Sequence, residues 1–289
     1  MKRGAPNIKS RWDTIVEDIN LARKMLKPII RRANPYKKKG RGTNPKHSVE
    51  KYIELIVLTE YDERTLRGGE VRLSKLVCNE RVDHSVIHYW QSKPEIVFAV
   101  RKIIVVAGAL LDGLLTSLFT FLDSTKFTGW EVKDMKLVEV TVCNKIANGT
   151  VYPIGISFLR DTVVAPVKEA VPKGTGKIKA DAWYDEIETI KTLFKLGYIP
   201  IICPNKGRYS GFYRRKAREI YKLPENRLAY RQRGRGESLF GSLTNEYGDR
   251  LNAKNVIAIQ TRIASRILSY QIKLLLRTEY EIVLFVRHA

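Results

Sequence analysis

Cysteine and histidine are scarce in this chain of 289 residues, which has three of the first and four of the second. Cys78, Cys143 and Cys203 lie far apart and form no Cys-x2-Cys pair. This spacing excludes a zinc ribbon and a disulfide framework as the basis of the fold. The four histidines show no recognised spacing of metal ligands. Because this cysteine usage is typical of a reducing compartment, we expect a cytoplasmic protein.

Acidic residues are also few, since the chain has 30 Asp and Glu against 52 Lys and Arg, a formal net charge of +22. An excess of this size predicts a polyanionic partner, and nucleic acid is the partner that we favour. An anionic membrane surface is the main alternative. Apolar residues make up 44% of the chain, which is enough to build a substantial core.

One long apolar run, Ile103–Leu122, contains a single charged residue, Asp112. Its 20 residues have the length of a transmembrane helix. A buried helix that runs into a buried strand has the same hydropathy. We favour this second interpretation, because Arg101, Lys102 and Asp123 flank the run. We therefore expect no association with a membrane.

Composition and periodicity divide the chain into three predicted regions. Residues 1–48 carry 14 Lys and Arg against three acids, and they are predicted to form an amphipathic helix and a basic arm that follows phosphates. A plain solvated linker is an equally open alternative for the arm. Residues 49–115 are predicted to form a helical DNA-binding region, and residues 116–289 a catalytic region with C-terminal helices.

A short helix, a tight turn and a polar-aromatic helix predict a helix-turn-helix within residues 70–93. Asp83 is a suitable N-cap for the second of these helices. One face of that helix is predicted to meet the DNA groove, namely His84, Ser85, His88 and Gln91. The other face is predicted to pack inward, namely Val86, Ile87 and Trp90. The alternative is a small helical subdomain that makes no base contacts.

Residues 117–159 contain three apolar segments with β-type residues, and the last two are joined by a hairpin-type turn, Asn148-Gly149. A short strand at 177–180, a helix closed by Gly197, a strand at 198–203 and a long helical stretch follow. This order predicts an α/β fold, in which a mixed five-stranded sheet is flanked by helices and preceded by an all-α region.

Three acids are candidates for a metal site. Asp123 and Asp181 are predicted to end strands, and Glu237 lies on a later helical segment. Carboxylate oxygens are the ligands that Mg²⁺ and Mn²⁺ prefer, and three carboxylates can hold two ions about 3.5–4 Å apart. We therefore expect the three residues to converge into a site for phosphoryl transfer.

Glu237 is the only acid of the basic segment YRQRGRGESLFGSL, residues 230–243. On a continuous helix Tyr230, Arg233 and Glu237 would share one face with Thr244, within about 60° of each other. Such a face suits a phosphate backbone held beside a metal ion. The two glycines before Glu237 weaken a helix and are predicted to let the backbone approach DNA. A surface ion pair is the alternative role of Glu237.

These residues resemble the DDE transposases of prokaryotic insertion sequences, in the branch marked by a Tyr-x2-Arg-x3-Glu-x6-Lys signature. Tyr230, Arg233 and Glu237 match the signature, and Thr244 stands where the family has Lys. The segments FLDST and ADAWYD resemble the two segments that carry the family's aspartates. The resemblance covers roughly residues 118–260.

The resemblance implies an RNase H-like fold in which Asp123, Asp181 and Glu237 are catalytic and hold two Mg²⁺ or Mn²⁺ ions. It implies cleavage of double-stranded DNA at transposon ends and transfer of the 3′-OH to target DNA. A homodimer on paired ends, associated with the nucleoid, is the implied assembly. A non-catalytic DNA-binding protein derived from a transposase, and a related RNase H-like nuclease or resolvase, are the alternatives.

A basic cluster from Lys206 to Arg235 contains 11 Lys and Arg against two acids and is predicted to bind the DNA backbone. The predicted DNA contacts are Lys206, Arg208, Arg214, Arg215, Tyr230, Arg231, Arg233 and Arg235, together with His84 and His88. Two residues close to Asp181 in the sequence are expected to have structural roles. Trp183 is predicted to pack in the core, and Asp185 is predicted to cap the helix that follows it.

Overall fold

The computed structural model describes residues 11–36, 45–117, 119–129, 137–207, 210–248, 250–251 and 253–288. The predicted basic arm falls largely on residues 37–44, which lie outside the described residues, as does Arg208. The amphipathic periodicity predicted near the N-terminus is confirmed in a helix, Ile19–Ala33, which buries Ala22 and Leu26.

The region before the sheet is helical throughout its described length. Its helices are α1 (Arg11–Glu17), α2 (Ile19–Ala33), α3 (Val49–Tyr61), α4 (Leu66–Arg72), α5 (Ser74–Cys78), α6 (His84–Gln91) and α7 (Pro94–Leu114). The Asp83 carboxylate accepts a hydrogen bond from the Ser85 amide at 2.8 Å, so the predicted N-cap of α6 is confirmed.

The two faces of α6 differ from the prediction at two positions. Gln91 is 2% exposed and Val86 is 37% exposed, the reverse of what the helix-turn-helix pattern predicted. Gln91 lies one turn after the buried Ile87, and its carbonyl accepts a hydrogen bond from the Thr261 hydroxyl at 2.7 Å. The inward face of α6 is therefore set by its contact with the C-terminal helix.

The sheet is mixed and contains the strands β1 (Phe119–Gly129), β2 (Leu137–Ala147), β3 (Thr150–Ser157), β4 (Gly176–Ala180), β5 (Tyr198–Ile202) and β6 (Arg250–Leu251). The order is β3-β2-β1-β4-β5, and the two-residue β6 pairs with β1. The pairs β1–β2 and β2–β3 are antiparallel, whereas β1–β4 and β4–β5 are parallel. This arrangement confirms the predicted mixed five-stranded sheet and is consistent with an RNase H-like domain.

Local sequence explains the hairpin turn between β2 and β3. Asn148 and Gly149 both have positive φ, 49° and 79°, as a tight two-residue hairpin turn requires. The predicted hairpin between β2 and β3 is therefore confirmed.

Helices cover the sheet and close the chain. They are α8 (Val164–Ala170), α9 (Ile187–Lys195), α10 (Phe212–Lys222), α11 (Pro224–Arg231), α12 (Ser238–Tyr247) and α13 (Val256–His288), with 3-10 turns at Ala182–Tyr184 and Gln232–Arg235. The apolar run Ile103–Leu122 is divided between α7 and β1, as predicted. Among the described residues, no helix has both the length and the apolar character needed to cross a membrane.

The long helix α13 joins the N-terminal helices to the sheet. Gln271 donates hydrogen bonds to the carbonyl of Ile104 on α7 at 2.9 Å and to that of Pro153 on β3 at 2.8 Å. Arg262 and Arg266 on α13 both pair with the buried Glu60 of α3. The helical region and the sheet therefore share one continuous core, and the predicted division at residue 116 remains a prediction.

Candidate active site

Asp123 and Asp181 are neighbours across two parallel strands. Leu122 pairs with Ala180 at the last position of the β1–β4 register, and each aspartate is the next residue on its chain. The prediction that Asp123 ends a strand is wrong, because β1 continues to Gly129. What ends at Leu122 is the pairing with β4, and the two carboxylates lie at this end of the parallel pair.

The Asp123 side chain is partly buried, and the Ser124 amide donates a hydrogen bond to its Oδ1 at 3.0 Å. Burial raises the pKa of Asp123 above its usual value, and the Glu237 and Asp181 carboxylates raise it further, whereas Arg233 lowers it. The three predicted acids are therefore close enough to act on one another electrostatically.

Asp181 begins the 3-10 turn Ala182–Tyr184. Its Oδ1 accepts a hydrogen bond from the Ala182 amide at 2.6 Å, and its Oδ2 lies 3.7 Å from Arg233 Nη1. The side chain is 50% exposed. One carboxylate oxygen is thus held by the backbone, while the other faces the opening of the site.

Glu237 reaches the site by a route that differs from the predicted continuous helix. The helix α11 ends at Arg231, a 3-10 turn follows, and α12 begins at Ser238, directly after Glu237. Gly236 is buried, and a Cβ placed there would lie 3.0 Å from the Cβ of Phe121 on β1. The absence of a side chain at Gly236 therefore serves the approach of this turn to the sheet, and the approach to DNA predicted for the two glycines remains a prediction.

Arg233 bridges two of the acids. Its Nη2 lies 3.3 Å from Glu237 Oε1, and its Nη1 contacts the Asp181 carboxylate described above. The Glu237 side chain is 54% exposed and that of Arg233 is 26% exposed. The surface ion pair considered for Glu237 thus exists, but it belongs to a cluster of three carboxylates.

A hydrogen-bonded chain supports β1 beneath Asp123. The Ser124 hydroxyl lies 2.7 Å from the Tyr184 hydroxyl and 2.8 Å from that of Thr141 on β2. Burial raises the pKa of Tyr184 to about 12, so its hydroxyl stays protonated at neutral pH. These hydrogen bonds connect the turn after Asp181 to β1. Nothing in the sequence indicated the role of Thr141, because only the folded sheet brings its hydroxyl next to that of Ser124.

The donor atoms of the cluster suit a divalent cation, although their spacing does not yet form a coordination shell. Three carboxylates supply hard anionic oxygens, the ligands that Mg²⁺ and Mn²⁺ prefer. In the part of the chain that the structure describes, the acid and histidine group whose ligand atoms all lie within 4.8 Å is a different one, Glu70, Asp83 and His84. An ion bound between Asp181 and Glu237 would take the place that the Arg233 guanidinium occupies.

The group around Glu70 has an evident structural role. The Glu70 carboxylate is 4% exposed, pairs with Arg81 Nη2 at 2.5 Å and lies 2.8 Å from His84 Nδ1. It also accepts the His84 amide at 3.1 Å, which fixes the start of α6. His84 is thus held within the helical region, whereas the side chain of His88 is exposed.

The side chains predicted to contact DNA differ in their exposure to solvent. The side chains of Lys206, Arg215, Arg231 and Arg235 are exposed, as a phosphate contact requires. Tyr230 is half-buried, with its ring edge-on to Tyr221 at a centroid distance of 5.4 Å.

Arg214 departs from the prediction, because it is 8% exposed and pairs with Asp185 Oδ1 at 3.2 Å. Asp185 is also buried and accepts the Asn205 amide at 2.8 Å. This burial leaves Arg214 in the wrong place for the predicted phosphate contact, and the residue at the N-cap position of α9 is Glu186 and not Asp185 as predicted. The two side chains join the 3-10 turn after β4, the loop after β5 and α10.

Trp183 also departs from the prediction. It was expected in the core, but it is 71% exposed, whereas the next residue, Tyr184, is 3% exposed. In the short 3-10 turn after Asp181, only one of the two rings can face inward, and the hydrogen bond to Ser124 selects Tyr184.

Comparison with known proteins bears on the second half of the chain. Residues 160–272 match a family model described as Transposase DDE domain. Among curated proteins, no significant match to the chain was found. The matched segment contains Asp181, Arg233 and Glu237 but begins after Asp123. The match indicates a relationship with DDE transposases over these 113 of the 289 residues.

Proposed function

We propose that the protein is a transposase that cleaves double-stranded DNA at transposon ends and transfers the resulting 3′-OH to target DNA. The observation that carries this proposal is the convergence of Asp123, Asp181 and Glu237 at one end of the parallel strand pair, the last two of them within the segment that matches the transposase family model. The branch with the Tyr-x2-Arg-x3-Glu-x6-Lys signature is the one to which we assign the chain.

Asp123, Asp181 and Glu237 are the residues that would hold two Mg²⁺ or Mn²⁺ ions. Such ions, when bound, lower the pKa of an attacking water or 3′-hydroxyl and stabilise the leaving oxygen of the phosphodiester. The protein's own contribution is to fix the acids on strand and turn backbone. Asp123 is fixed by the β1–β2 pairing and Asp181 by its bond to the Ala182 amide.

The basic face beside the acids would hold the DNA backbone. Lys206, Arg215, Arg231 and Arg235 are exposed, and the last two lie within six residues of Glu237 along the chain, so that phosphates held by them would lie near its carboxylate. We propose that α6, with its exposed His88 and the partly exposed His84, reads the end sequence. A homodimer on paired ends, associated with the nucleoid, completes the proposal.

A non-catalytic DNA-binding protein is the second candidate, and Thr244 favours it. The Thr244 hydroxyl donates to the carbonyl of Phe240 at 2.9 Å, so it turns back onto its own helix. It therefore cannot make the phosphate contact of the family's Lys. If that contact is indispensable, the chain binds DNA without cutting it.

The deciding experiment incubates the full chain with the DNA ends of its own element, with Mg²⁺ or with EDTA. A transposase nicks the ends only in Mg²⁺ and joins the 3′ end to a second DNA. A nuclease or resolvase cuts without joining, and a non-catalytic protein shifts the DNA in both buffers and leaves it intact. Loss of cutting in Asp123→Asn links the chemistry to the carboxylate cluster.

A further inference from the structure

A guanidinium group spans the opening between two of the three proposed metal ligands. The contacts of 3.3 Å to Glu237 and 3.7 Å to Asp181 come from the two Nη atoms of one side chain, Arg233. Both carboxylates are half exposed, whereas Arg233 is more deeply placed at 26% exposed. The cation therefore lies among the acids and not on the outer surface, where a DNA contact alone would place it.

Charge explains why a cation is needed at this point. Three carboxylates and one guanidinium leave the cluster with an excess of negative charge. Arg233 places its guanidinium between two of these carboxylates, where its positive charge offsets part of that excess. Without Arg233, like charges would repel one another across the end of the parallel strand pair.

We propose that Arg233 is the internal counter-cation of this site, which holds Asp181 and Glu237 together in the ion-free protein and is displaced when divalent cations bind. This inference rests on the proposed function, because it assumes that these acids are metal ligands. The displaced guanidinium then becomes available to a DNA phosphate, so that ion loading and phosphate binding are coupled through one side chain. In this scheme Arg233 is a positioning residue.

The local structure allows the exchange. Arg233 lies on the 3-10 turn Gln232–Arg235, and a Cβ placed on the following Gly234 would have no neighbour within 4 Å. This turn therefore borders solvent, and the Arg233 side chain is itself partly exposed, so that water is the space open to the guanidinium once its contacts to the acids are lost. Arg235, exposed on the same turn, acts instead on Lys179, whose pKa it helps to lower, and so provides a matched control.

The test is a titration of Mn²⁺ into the full chain without DNA, followed by calorimetry, for the wild type, Arg233→Gln and Arg235→Gln. Both variants lose one positive charge, but only the first loses the contacts to the acids. We expect Arg233→Gln to bind Mn²⁺ about 3- to 10-fold more tightly, the size expected for two exposed ion pairs. Arg235→Gln should stay within about twofold of the wild type because its charge is more distant.

Equal affinity in the two variants, or weaker binding by Arg233→Gln, would overturn the inference. A second readout is the thermal midpoint in EDTA, which should be lower for Arg233→Gln than for the wild type and should approach the wild-type value in saturating Mn²⁺. Glu237→Gln separates the two proposals. If neither the wild type nor Glu237→Gln binds Mn²⁺, the proposed metal site itself fails. If the wild type binds and Glu237→Gln weakens binding, but Arg233→Gln does not tighten it, the counter-cation role alone fails.

Discussion

Glu237→Gln separates a metal ligand from a surface ion pair by the size of its effects. The substitution keeps the shape of the side chain and removes the charge that a divalent cation requires. In the free protein, the structure shows one charged contact to lose, the 3.3 Å pair with Arg233, and the carboxylate is 54% exposed. An exposed pair of this kind contributes about 0–1 kcal/mol to stability, so the thermal midpoint should fall by no more than about 2–4 °C.

The effect on chemistry should be far larger if Glu237 is a ligand. We expect cleavage of end DNA in Mg²⁺ to fall by about 100-fold or more, the range seen when one electrostatic group is removed from an active site. That loss corresponds to about 2.7 kcal/mol in the barrier, more than the whole expected change in stability. DNA binding should survive or tighten, since a negative charge beside the phosphates has been removed.

The assay compares nicking rates and DNA affinity in the same preparations, with Glu219→Gln as the control. Glu219 is exposed on α10 within the same basic cluster, so its replacement changes the net charge equally without touching the acids. Wild-type nicking by Glu237→Gln would reject the catalytic role of this residue. An equal loss of nicking in both variants would attribute the effect to surface charge.

Three further predictions test the surroundings of the site. Arg214→Ala should unfold at a lower temperature than the wild type, because it leaves Asp185 buried without its partner. Arg215→Ala should keep the wild-type melting temperature and reduce the salt dependence of DNA binding. The opposite pattern would contradict the burial of Arg214. Lys179 is fully buried. Its pKa is lowered to about 8, mainly by this burial and secondly by the positive charge of Arg235. The unfolded chain therefore binds more protons from pH 8 to 10, and the free energy of unfolding measured with denaturant should rise over that range in the wild type but much less in Lys179→Met. Gly236→Ala should reduce nicking with little loss of DNA binding, since the new methyl group meets Phe121 and pushes Glu237 away from β1, and an unchanged nicking rate would refute this role.

The sequence by itself determined the element types and the identity of the acids. Strand-forming residues around Asn148-Gly149 fixed a hairpin, because only a few residue pairs adopt two positive φ angles in succession. The apolar run through α7 and β1 was correctly divided, since Asp112 and the flanking charges made a membrane span improbable. These features depend on local backbone preferences and on hydropathy, which the sequence carries directly.

Only the tertiary structure decided how the side chains of the site are used. The neighbouring positions of Asp123 and Asp181 depend on the register between β1 and β4, which joins residues that are distant along the chain. The position of Glu237 beside β1 depends on the close approach of Gly236 to Phe121. Both are long-range contacts, and no local periodicity encodes them.

The arginine side chains show most clearly that the sequence alone does not determine which partner a charged group has. Arg214 and Arg215 are adjacent and chemically identical, yet the first is buried against Asp185 and the second faces solvent. Arg233 looked like a phosphate contact, and the fold places it between two carboxylates. Charge in a sequence determines that a polyanion is attracted, but a charged group finds its partner only when the folded chain brings the opposite charge within a few ångströms.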